Sequence, residues 1–124
     1  MPVLRCTVSL EVDGVPLAGF PIQRRVTFNE GVGLDYQKTA DGNATTFTSI
    51  PESELPVVQA LILKVDSLVN LRLNGQTNGL VPVNPGGFIV IFDGNLSAGV
   101  ATNVTVNNPA ASGAATIKGY AAGT

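Results

Sequence analysis

The chain has 124 residues and a formal net charge of −2, with 44% hydrophobic but only 13% charged residues. That length suits a single domain, spanning 1–124, that buries roughly two thirds of its unfolded surface without staples. It carries no basic stripe, no histidine and one cysteine. Nucleic-acid capture, an internal disulfide, Ser-His or Cys-His catalysis and an ordinary zinc site are therefore excluded.

The N-terminus lacks the basic-then-apolar order of a signal peptide, and the longest apolar runs are about five residues, so no membrane span is expected. Residues 3–12 alternate, with Arg5, Thr7, Ser9 and Glu11 on one face and Leu4, Cys6, Val8, Leu10 and Val12 on the other. A period of two is the mark of a half-buried strand, and the apolar face, Cys6 included, is expected in the core. Asp13-Gly14 is a preferred hairpin dipeptide, and residues 15–28 return as an irregular strand interrupted by Pro16, Gly19 and Pro21. Residues 29–33 read as a turn. Residues 34–38 and 44–50 read as a second hairpin around Asp41-Gly42-Asn43.

Residues 51–56 interrupt the pattern, and Ser49 with Glu52 fits a capping box for one helical turn. Residues 57–65 are rich in β-branched side chains and follow Pro56, which favours strand over helix. Residues 68–94 form the strongest structural signal. Val69, Leu71 and Leu73 alternate with Asn70 and Arg72, and after a Gly-, Asn- and Pro-rich loop comes the unbroken apolar run 88–92. Such a run suits a strand buried on both faces, with Phe88 and Phe92 in the core. Asp93-Gly94 turns again, 96–106 alternates, 107–113 is a small polar turn, and 115–121 is a last strand. Five Asp-Gly or Asn-Gly dipeptides punctuate these short segments. The whole predicts an all-β fold, an antiparallel, jelly-roll-like β-sandwich of about eight short strands.

Chemistry is sparse. Glu52 and Glu54 are the best-spaced carboxylate pair, but they sit in a Pro-bounded loop, where solvated acids are the ordinary finding. Asp13, Asp41 and Asp93 each precede a glycine, which turn formation explains without calcium. Tyr36 and Tyr120 are candidate exposed platforms for a sugar ring. No catalytic residue, metal or cofactor is expected. The scarcity of charge leaves the surface weakly protected against association. The lysines Lys38, Lys64 and Lys118 are too few to guard sheet edges, so closure or pairing with neighbouring subunits is expected to do so. Residues 76–87 are uncharged and long for a hairpin loop. Gln76, Thr77, Asn78, Leu80, Pro82, Asn84 and Pro85 are accordingly the candidate interface.

The stretches LRLNG at 71–75, PGGFIVI at 85–91, VTVN at 104–107 and SGAATI at 112–117 resemble small β-rich virion proteins of tailed bacteriophages. These include head-decoration (cement) proteins and the β-domains of tail and fibre proteins. The likeness is one of style and covers residues from about 57 to the end. It implies a non-enzymatic structural role in symmetric homo-oligomers, commonly trimers, bound to a major capsid or other virion protein. The expected location is the virion after synthesis in the host cytoplasm. The alternative is a tail or fibre β-domain that binds a host receptor or glycan.

Overall fold

The computed structural model describes residues 1–50, 55–99 and 102–124, and those residues form β-strands and loops without a helix. The expected capping box and the Glu52/Glu54 pair lie outside the described residues. Among the described residues twelve strands are present where about eight were expected. They are β1 (Val3–Val8), β2 (Glu11–Val12), β3 (Val15–Pro16), β4 (Ile22–Thr27), β5 (Glu30–Thr39), β6 (Thr48–Ser49), β7 (Val58–Val65), β8 (Val69–Leu73), β9 (Val81–Val83), β10 (Phe88–Leu96), β11 (Val104–Asn107) and β12 (Ala114–Gly123).

Eight of them, β5 to β12, make a sandwich of two antiparallel four-stranded sheets, ordered β10-β7-β12-β5 and β6-β11-β8-β9. The topology is that of a folded ribbon. Strand β5 pairs with β12, β6 with β11, β7 with β10 and β8 with β9, and wrapping then brings β12 beside β7 and β11 beside β8. This pairing is a jelly roll. The other four strands form a separate two-stranded ribbon ahead of the sandwich, β1 on β4 and, at its tip, β2 on β3.

The core lies between the sheets. Cross-strand registers stack Ile91, Leu61, Ala121 and Val32 in one row and Ile89, Leu63, Gly119 and Leu34 in the next. The facing sheet contributes Val69, Leu71, Val104, Val106 and Val83, and Leu55 and Ile50 seal the margin. Side chains that alternate in sequence thus meet as layers, as the period of two requires. Removing one of the fully buried members, such as Leu71, costs about 2–5 kcal/mol in cores of this kind.

Several expectations are corrected. Residues 34–38 and 44–50 do not form a hairpin, because β5 pairs with β12 and β6 joins the other sheet. Residues 30–33, read as a turn, are the start of β5. Strand β8 does not face 88–92 across a hairpin either: it pairs with β9, a short strand inside the expected loop 76–87. Asp93-Gly94 is no turn; it sits at a register irregularity inside β10, with Asp93 at φ 61. From Phe92 to Leu96 β10 advances four residues while β7 advances two, from Ala60 to Val58, and the two extra residues bulge the strand rather than ending it.

The run 88–92 is an edge strand with one exposed face, not a doubly buried strand. Ile89 and Ile91 pack on the core, whereas Phe88 is 70% exposed and Val90 39%. An unbroken apolar run shows that both faces avoid charge, not that both are covered. The ribbon departs from expectation in the same way. Cys6 is half-buried, and Val8, Leu10 and Val12 are exposed rather than in the core.

Candidate interaction surface

The ribbon leaves many of its apolar side chains in water. Asp13 and Gly14 take φ values of 50 and 79, the left-handed pair that a two-residue turn demands, and so reverse the chain at the tip. At the base, Leu4 packs with Phe28, Ala60, Ala122, Phe92 and Tyr120, and Arg24 pairs with Asp93 of β10. Beyond that base every residue from 7 to 19 is exposed, including Val12 at 58% and Val15 at 64%. Arg5 lies directly opposite Arg25 on one face, a like-charge cross-strand pair.

A second surface is the outer face of the sheet β10-β7-β12-β5. Its rows read Phe88, Lys64, Lys118, Asp35, then Val90, Ile62, Tyr120, Gly33, then Phe92, Ala60, Ala122, Gly31. The ribbon base and Phe28 cover the third row. Tyr120 meets Phe28 edge to face with ring centroids 6.2 Å apart, and the tip of its ring lies over Gly31, where a side chain would force the two rings to shift. The first two rows keep Phe88 and Val90 exposed beside the exposed Lys64 and Lys118. Lys64 and Lys118 are therefore not edge guards but neighbours on the two central strands. Lys38 is buried.

The expected interface residues lie on the opposite sheet's edge. Gln76, Thr77, Asn78 and Leu80 occupy the exposed β8–β9 connection, and Pro82, Asn84 and Pro85 are exposed on and after β9. Proline at an edge strand is well placed, since it has no N–H to give to a ladder. Of the sugar platforms, Tyr36 packs against the core and Tyr120 is half-buried under Phe28, which leaves Phe88 as the exposed ring.

The most polar interior is structural. Lys38, 8% exposed, donates to the Asp41 carboxylate at 2.8 Å. The second Asp41 oxygen accepts the Asn108 backbone N–H at 2.8 Å and the Asn107 amide at 3.2 Å. Asn107 also donates to the carbonyls of Asn43 and Thr46, and its amide oxygen accepts from Asn70. Asn103 donates to the carbonyls of Leu55 and Pro56 and accepts from the Gly99 N–H. Asn107 and the Asn108 N–H pin the loop 40–47 over the outer face of β8 and β11, with Arg72 stacked 3.9 Å from the centre of the Phe47 ring, while Asn103 ties residues 55 and 56 to Gly99. Residues 107 and 108, expected in a polar turn, are thus buried.

Burial pushes the Asp41 pKa up. The Lys38 hydrogen bond, the Asn108 N–H, the Lys38 charge and the Asn107 amide outweigh that and hold it below the ordinary value. The Thr116 backbone N–H chiefly lowers Asp66, against some desolvation. Asp13, Asp41 and Asp93 serve a turn, an ion pair and a bulge at separate places, and no group of three or more metal-ligating residues occurs among the described residues. Comparison with known protein families, curated proteins and solved structures found no match to this chain.

Proposed function

We propose that this chain is a non-enzymatic virion structural protein, a capsid decoration protein. It assembles as a symmetric homo-oligomer, with a trimer favoured, on the major capsid protein. The carrying observation is the ribbon: apolar side chains stand in water along a two-stranded element beyond the sandwich. A two-stranded hairpin is marginal in water by itself, and clustered exposed apolar residues mark an interaction site. A surface this poor in charge supports the same reading. So does the jelly roll, an architecture used in viral capsid and lectin domains, though fold alone does not fix function. The edge residues 76–85 are the proposed contact with the decorated surface. Imaging of purified particles, with the copies counted, tests this. Three-fold clusters on the head surface are expected, and a protein that stays single-chain and is missing from particles overturns it.

The second reading, a tail or fibre β-domain that binds a glycan, is favoured by one observation, the exposed Phe88 ring. Glycan-array binding that Phe88→Ala abolishes would decide for it.

A further inference from the structure

Two surfaces of this chain are incomplete, and each has what the other lacks. The ribbon tip, residues 9–20, contains Glu11 and Asp13 and no basic residue, set among exposed Leu10, Val12, Val15 and Leu17. The outer face of β7 and β12 holds Lys64 directly opposite Lys118, flanked by exposed Phe88 and Val90. Like charges directly opposite across a ladder repel; Asp35 lies in register on the far side of Lys118, and Asp66 lines the same surface beside both lysines with its carboxylate accepting the Thr116 N–H. Among the described residues the ion pairs are Arg24–Asp93 and Lys38–Asp41, and neither the tip acids nor these lysines pair with a described residue. The ribbon base already covers the third row of this face. The first and second rows are the part left open.

We infer that the ribbon tip of one copy docks on the outer face of a second copy. Glu11 and Asp13 then meet Lys64 and Lys118, and the tip's valines and leucines cover Phe88 and Val90. This rests on the self-assembly proposed above and specifies its contact. The occupant is a second copy because the match is of two kinds at once, charge to opposite charge and apolar to apolar. Each half of the match is otherwise a defect: an uncovered hairpin and an unpaired lysine couple. The contact joins two different patches, so it is head-to-tail and closes into a ring when the rotation between copies permits. Complementary charge of this kind steers encounter and fixes register, and it weakens as salt rises.

The test is charge reversal with rescue, read by sedimentation equilibrium of the full chain. Glu11→Lys with Asp13→Asn changes the tip while sparing the left-handed turn position, and Lys64→Glu with Lys118→Glu changes the face. All four positions are exposed, and circular dichroism verifies that the fold is kept. Each pair alone is expected to raise the dissociation constant about tenfold or more, and the four together to restore it to within about threefold. A wild-type oligomer that neither pair weakens overturns the docking and leaves self-assembly standing. So does dissociation caused only by Arg5→Glu with Arg25→Glu, which would assign the contact to ribbon against ribbon. A wild-type chain at single-chain mass throughout overturns both proposals.

Discussion

At the scale of single residues, buried amides hold the loops to the sandwich. Asn107 is fully buried and bridges β11 to Asn70, Asp41, Asn43 and Thr46. Asn107→Ala leaves several buried partners unmet at about 1–3 kcal/mol each, partly relieved by relaxation, so a loss of about 2–4 kcal/mol is expected in urea unfolding. A loss below about 0.5 kcal/mol would mean that the loop 40–47 is not held this way. Asp41 and Asp66 set the acid limit. Both carboxyls are held below their unfolded value, so the stability they contribute is present above that value and is lost as pH falls through the folded one. The unfolding midpoint should stay flat between about pH 5 and 7, since no histidine titrates there, and fall below about pH 4. Asp41→Asn should make that acid slope shallower. These amides were not legible in the sequence. Asn in a Pro- and Gly-rich stretch reads as turn, and nothing local shows that Asn103, Asn107 and Asn108 are reached by distant carbonyls of Leu55, Asn43 and Lys38.

At the scale of elements, alternation located strands well and their partners poorly. Strand β8 stands where the period of two puts it, β7 where β-branched residues after Pro56 favour strand, and β12 over the last apolar stretch. Period alone does not say what covers a face. The sequence pattern points the apolar side chains of residues 3–12 and 88–92 into the core, yet both stretches have apolar side chains in water. Pairing was legible only where the turn is tight, as at Asp13-Gly14, and not where β5 runs to β12 across most of the chain. Two variants probe these elements. In β12, a side chain on Gly119 would collide with the backbone carbonyl of Ile62, which cannot swing aside. Gly119→Val should cost about 1–3 kcal/mol or more in denaturant unfolding. Replacing residues 8–22 with Asn-Gly joins the paired Thr7 and Gln23 through a two-residue turn. The exposed ribbon adds little to the core, so the sandwich's unfolding free energy should move by less than about 1 kcal/mol. A collapse of the transition would make the ribbon part of the fold rather than an appendage.

At the scale of the whole molecule, the chain exposes 7008 Å². A compact monomer of 12.8 kDa exposes about 6,300 Å². The excess is what an arm held away from a sandwich produces, and it is surface that association can remove. The fold class was legible from strands and turns. The division into a jelly roll and a ribbon was not, since the ribbon's apolar alternation is indistinguishable from that of a core strand. The most direct measurement is the sedimentation mass of the wild-type chain against the variant with residues 8–22 replaced, at micromolar concentration. Expected is a whole-number multiple of 12.8 kDa for the wild type and a single-chain mass for the shortened variant. A wild type that sediments as a single chain, or a shortened variant that assembles equally well, would contradict assembly through the ribbon.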